Sequence, residues 1–236
     1  MCGRYSLSSV DARVLESRFG VAEAATPKPR YNIAPGSGVL AVRASAGGQR
    51  LAEELRWGLV PHWAKDSGAA HRMINARAET VSERAAYRGA LAHCRCLIPA
   101  DGFYEWQRVP GERRKQPFHI TLAGGELFAF AGLWSVWHRG APEELRTVTI
   151  ITTAANAAVA PVHDRMPVIL SREAEALWLS AGLSPAEAVG LLIAPPPQAI
   201  AVRPVGPAVN DARYDGPACL LDPPPDPQAS LLTGLP

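Results

Sequence analysis

Cysteine is scarce in this chain and lysine scarcer, with only Cys2, Cys94, Cys96 and Cys219 and only Lys28, Lys65 and Lys115 among 236 residues. So few cysteines cannot build a disulfide scaffold, which suits a reducing compartment. Cys94-x-Cys96 beside His93 has the wrong spacing for a zinc finger or ribbon, and no second cysteine pair exists. A strand with one buried side explains the pair better, and no metal is expected. Walker and dinucleotide glycine loops are missing, and no cofactor is expected. No apolar run is long enough to span a bilayer, and the first residues lack the regions of a signal peptide. A soluble, cytoplasmic protein is expected. Large charge excess is missing too. The net charge of +2 carries no bulk signature of a nucleic-acid binder. Arginine nevertheless supplies nearly all of the 24 cationic side chains, and its planar fork suits phosphate oxygens where lysine is a point charge. A GC-rich genome produces the same bias.

What is present is apolar material, 47% of residues against 19% charged, ample for one core. The length admits one large domain or two small ones. No repeat or convincing linker interrupts residues 2–222, which are read as one domain; residues 223–236 are read as a loose proline-rich tail. Strands are expected at Val39–Arg43, Glu54–Leu59, Arg95–Pro99, Pro117–Leu122, Leu127–Leu133 and Thr147–Thr153, all β-branched or aromatic-rich and bounded by turn residues. Helices are expected from about Ser9 to Phe19, closed by Gly20, and from a capping box at Thr80–Glu83 towards Leu91. Two more are expected from Ser171 through Trp178 to Gly182, and from the capping box Ser184–Glu187 with proline at its first turn. The class is α+β: a curved, mainly antiparallel sheet with peripheral helices.

Three polar runs interrupt this apolar pattern, and the chain opens on Met1-Cys2-Gly3-Arg4. Methionine is removed before a small residue, which would leave Cys2 with a free α-amine and a thiol on adjacent carbons. These groups ordinarily titrate near ~8 and ~8.5, so both reactive forms exist at neutral pH. Such a 1,2-aminothiol captures aldehydes: the amine forms an imine, and the thiolate closes on its carbon to give a five-membered thiazolidine. In Ile74–Thr80, Asn75 and Arg77 fall on one side of an extended segment. In Ala100–Trp106, Glu105 lies between aromatics, where burial would raise its pKa and suit it to proton transfer. In Pro161–Pro167, His163 can move protons near neutral pH, with Asp164 or another acceptor fixing its tautomer. Each also has a structural use: Asn75 as a backbone cap, Glu105 as an arginine's partner, His163 as a turn residue. Leu55–Lys65 adds Trp57, read as core, and Trp63, which with Trp106 is a candidate platform for stacking single-stranded bases.

Taken in order, the blocks resemble the SRAP (SOS response-associated peptidase) proteins, which include abasic-site processing proteins of bacteria and a human counterpart. They are MCGRY (Met1–Tyr5), RYNIAPG (Arg30–Gly36), RWGLVPHWAK (Arg56–Lys65), INARAET (Ile74–Thr80), CLIPADGFYEW (Cys96–Trp106), FAFAGLW (Phe128–Trp134) and HDRMPVIL (His163–Leu170), with a weaker block at Val209–Asp211. The resemblance runs from residue 2 to about residue 217. It implies a single barrel-like domain with a basic DNA channel and a thiazolidine crosslink between the N-terminal cysteine and the ring-opened sugar of an abasic site. It implies catalytic roles for Cys2, Asn75, Glu105 and His163, and DNA contacts for Arg4, Pro35, Trp63, Arg77, Trp106 and Arg165. It further implies lyase and autoproteolytic activity, although here only Met1 precedes Cys2. The implied setting is a monomer on single-stranded DNA containing abasic sites, at damaged DNA in the nucleoid, with replication-fork proteins as further partners. Two other readings stay open: an N-terminal-nucleophile amidohydrolase, which would also begin Met-Cys-Gly, and a non-covalent single-strand-binding module.

Overall fold

The computed structural model describes residues 2–9, 11–22, 27–111 and 114–225. Met1, expected to be lost, and most of the expected tail lie outside the described residues. In chain order the regular elements begin with β1 (Tyr5–Leu7), α1 (Ala12–Phe19), β2 (Arg30–Ile33), β3 (Gly38–Ala44) and β4 (Arg50–Trp57). The middle holds β5 (Asn75–Arg77), α2 (Ala85–His93), β6 (Arg95–Ala100), β7 (Gly102–Gln107), β8 (Gln116–Leu122), β9 (Phe128–Trp137) and β10 (Leu145–Ala154). Then come β11 (Arg165–Pro167), β12 (Ile169–Leu170), α3 (Arg172–Trp178), α4 (Pro185–Gly190) and β13 (Ile200–Pro204).

Strands β10, β4, β3, β6 and β9 follow one another edge to edge, and β9 pairs back onto β10, so the sheet closes into a barrel. Closure leaves no open edge in the ring. Its pairings are antiparallel except β10–β4; β5 also joins β10 in parallel. A second, antiparallel sheet has the order β13-β8-β7-β1-β2. This is the expected α+β class with a curved, mainly antiparallel sheet. Every residue of β6 is buried, as a strand facing protein on both sides should be. Tyr5 of the second sheet reaches into the same core, edge-on to Trp57 at 5.5 Å and to Phe130 at 5.6 Å between ring centroids.

All six expected strands are present with shifted ends; β9, for example, runs four residues beyond Leu133. Trp57 is in the core as expected, 1% exposed. The first helix begins three residues later than expected, because Asp11 caps it by accepting the Val14 N–H; Gly20, at φ 65°, ends it. Ser184 and Glu187 form the expected capping box, and Ser171 caps α3, which stops at Trp178, short of Gly182. The Thr80–Glu83 box does not open α2. The chain leaves β5 through a 3₁₀ turn at Ala78–Thr80, the Glu83 and Arg84 N–H groups bond the Thr80 carbonyl, and α2 starts at Ala85 with no side-chain cap.

Candidate active site

Short elements carry the chemistry. Cys2 and Arg4 lead into β1, Asn75 and Arg77 are alternate residues of β5, Glu105 lies on β7, and His163 precedes β11. In β5 the central Ala76 is buried while Arg77 is exposed, so Asn75 and Arg77 do share a side, as extended geometry requires. The pairing of β1 with β7 and of β5 with β10 draws these residues together.

The Asn75 Nδ2 donates to the Cys2 carbonyl at 2.8 Å, fixing the backbone of the thiol-bearing residue. Its Oδ1 is buried and has no protein partner among the described residues. A buried acceptor left open is costly in a purely structural role and useful for a ligand. Cys2 is fully buried. Burial first, and the Glu105 carboxylate second, push its thiol far above the ordinary range. Burial of this kind favours the protonated thiol over the thiolate.

Glu105 is 3% exposed. Burial is the main influence on its carboxyl and raises it, while charge on His163 acts in the opposite direction. The His163 Nε2 stands 4.0 Å from Glu105 Oε2. The other ring nitrogen, Nδ1, lies 2.9 Å from Asp164 Oδ1 and 3.0 Å from the Arg165 N–H. One nitrogen cannot both donate to Asp164 and accept from Arg165. In the neutral ring, accepting from Arg165 puts the single proton on Nε2, facing Glu105; in the imidazolium, both nitrogens donate towards carboxylates. The neutral tautomer that donates from Nδ1 to Asp164 instead leaves Nε2 bare, so the ring can serve as proton donor or acceptor on the Glu105 side.

The expected DNA-contacting residues are found in different states. Arg77 is exposed and lines a cleft of about 420 Å³ with Asn75, Arg84 and Tyr87. Arg165 grips Glu79 with both guanidinium ends at 2.6 and 2.9 Å and also donates to the Thr152 carbonyl. Arg4 donates to Asn32 Oδ1 and to the Val209 carbonyl, and lies 5.9 Å from the Trp106 ring. The Trp106 indole N–H bonds Asn210 Oδ1. Pro35 is exposed in the turn after β2, and Trp63, at 58% exposure, stands in a separate cleft.

Several contributors escaped sequence reasoning. Tyr87 donates to the Asn75 carbonyl at 3.2 Å, and only its place early in α2 hints at it. Asn32, 1% exposed, joins Arg4 to the chain near residue 211. Ser6 donates to Asp101 Oδ1 and lies 2.9 Å from His119 Nε2, so His119 returns its own N–H to Ser6. Burial lowers the His119 imidazole to about 4, which favours the neutral ring. This clamp ties β1 to β7 and β8 beside the site. No group of three His, Cys, Asp or Glu able to hold a metal exists among the described residues, and no described helix is long and apolar enough to cross a membrane.

The fold is a closed β-barrel with a buried thiol, an amide on that residue's carbonyl, and a buried carboxylate beside an imidazole. The family model for SOS response associated peptidase (SRAP) matches residues 1–212, and the chain belongs to that family. It is 46% identical over 186 residues to abasic site processing protein YoaM of Bacillus subtilis, covering 76% of this chain and 79% of that one. It is 34% identical over 201 residues to abasic site processing protein HMCES of Rattus norvegicus, covering 72% of this chain and 56% of the rat protein. Among solved structures, a Bacteroides thetaiotaomicron protein superposes with a TM-score of 0.82 at 24% identity, covering 94% of this chain and 99% of its own. A phage-related protein from Bordetella bronchiseptica does so at 0.70 with 32% identity, covering 86% and 94%.

Proposed function

We propose that this protein processes abasic sites in single-stranded DNA by forming a covalent crosslink through Cys2. The abasic site processing relatives support the substrate. The observation that supports the chemistry is a run of contacts: Asn75 on the Cys2 carbonyl, the Glu105 charge acting on the Cys2 thiol, and His163 4.0 Å from Glu105. With Met1 removed, the Cys2 α-amine adds to C1′ of the ring-opened sugar. The resulting carbinolamine loses one water to give an imine. The thiol then adds across the C=N bond: sulfur bonds to C1′, and its proton ends on the ring nitrogen. One water is lost overall and no redox partner is needed.

The raised carboxyl of Glu105 can pass protons during amine addition and accept the thiol's proton at closure, which a thiol that burial favours in its protonated form requires. His163, beside it, protonates the sugar ring oxygen as the ring opens. Running the steps backwards reverses the crosslink, and loss of the 3′ phosphate from the imine would give lyase activity. Asn75 holds Cys2 and offers Oδ1 to the sugar, while Arg77 faces the flanking phosphate. Arg165 reaches a phosphate by exchanging Glu79 for it. Pro35, Arg4 and Trp106 line the strand's path.

Incubation with an abasic oligonucleotide should raise the intact protein mass by the oligonucleotide less one water. Cys2→Ala should lose the heat-stable adduct while keeping an amine able to form a transient imine. A heat-stable adduct in the alanine variant would remove Cys2 from this role. Binding of the strand by the native protein with no mass change would leave only a non-covalent module.

A further inference from the structure

The loop from β10 to β11 carries His163, and hydrogen bonds centred on Asn156 set its shape. Its ends are joined by the Ala155 N–H on the Asp164 carbonyl at 2.9 Å. Inside it the Asn156 Oδ1 accepts from the Ala158 and Val159 N–H groups at 3.1 Å each, as a capping side chain does at the start of a helical turn. The Asn156 carbonyl takes the Val159 and Ala160 N–H groups, and the Val159 carbonyl takes those of Val162 and His163. Two successive sets of bonds therefore run from Asn156 to His163. Val159, between them, is fully buried and packs in the core. Two further contacts fix the loop to its surroundings. The Asn156 Nδ2 donates to the Pro195 carbonyl at 2.9 Å, beyond α4. The Gln107 Nε2 donates to the Pro161 carbonyl at 2.9 Å. Gln107 lies two residues after Glu105 on β7, so the two side chains leave that strand on one face. The strand of Glu105 is thereby tied to the loop of His163, whose Nε2 stands 4.0 Å from Glu105 Oε2.

We infer that Asn156 and Gln107 are positioning residues for His163: Asn156 shapes the loop, Gln107 sets it against β7, and together they hold the imidazole beside Glu105. The inference rests on the proton-transfer role proposed above for His163. Surface loops are ordinarily the mobile part of a fold, and a proton-transfer group placed on one needs such supports to keep its distance from the reacting atoms. Both residues act through the imidazole, so their worth to the reaction exists only while His163 is present.

The test is the single-turnover rate of heat-stable crosslink formation on an abasic single strand. Asn156→Ala removes both the cap and the tether to Pro195, and should slow the reaction roughly 10- to 100-fold, the cost of displacing a reacting group by about 1 Å. Gln107→Ala should also slow it. Asn156→Asp keeps the acceptor for the Ala158 and Val159 N–H groups and loses only the donor to Pro195. It should regain most of the rate while melting below the native protein, so that rate and stability part company. In a His163→Ala background neither alanine substitution should slow the reaction further, since residues that act through one group are not additive with its removal. Equal losses with and without His163, an aspartate variant as slow as the alanine one, or either alanine variant as fast as the native protein overturns the positioning role. If Asn156→Ala is unfolded at the assay temperature, Gln107→Ala, altered at an exposed contact, carries the same comparison. A His163→Ala protein that crosslinks at the native rate overturns the role proposed for His163, and the positioning role with it. Failure of the native protein to gain oligonucleotide mass overturns the function itself, by a separate readout.

Discussion

Glu105 shows at the scale of one residue what the site costs the fold. An unfolded glutamate ionises near ~4.3. Burial raises the folded carboxyl above that, so between the two values the folded state binds more protons than the unfolded chain. Stability then falls as pH rises through that window, and the loss is complete above the folded pKa. Glu105→Gln should accordingly melt higher than the native protein at pH 7 and lose that advantage below pH ~4. A gain of one kcal/mol would show as about 2–4 °C in a chain of this size. A lower melting temperature for the variant at pH 7 would mean that the carboxylate's partners stabilise it outright. Glu105 was legible because two aromatics flank it, and Asn75 and Arg77 because alternation fixes a side. The burial of Cys2 was not, since residues 73 and 103 positions away in sequence enclose it.

At the scale of elements, the strands that hold the site were the ones sequence pattern could not resolve. β1, β5 and β11 have three residues each, too few to show a period of two. They exist because long neighbours supply their ladders: β5 and β11 both lean on the ten-residue β10. The start of α2 was misread for a related reason, because the 3₁₀ turn that follows β5 takes the residues that would have capped it. The Ser6–His119 clamp makes this arrangement testable. A Cβ on Gly102 would sit 2.1 Å from His119 Nε2, on a ring already held by Ser6 and packed 4.8 Å from Tyr104. Gly102→Ala should therefore destabilise the protein by about 1–3 kcal/mol in denaturant unfolding, as overpacking does. An unchanged midpoint would show that β1 and β7 do not depend on the clamp.

For the whole molecule, the α+β class and a curved sheet were readable from β-rich segments flanked by capped helices, whereas the barrel came from the family resemblance alone and its closure was not readable. The ring closes through β9 on β10 and through parallel contact of β10 with β4, pairings that leave no local trace in a sequence. Within that closed frame Cys2 is fully buried, with Asn75 on its carbonyl and the Glu105 charge acting on its thiol. In the chemistry proposed for Cys2, α-amine and thiol act together as one unit. This is tested most directly by intact mass after incubation with an abasic single strand, on two proteins released by site-specific cleavage: one beginning at Cys2, one with a glycine before it. The first should gain the oligonucleotide less one water, and the second, its Cys2 nitrogen locked in an amide, should gain nothing stable to heat. An equal heat-stable adduct on the glycine-extended protein would contradict it.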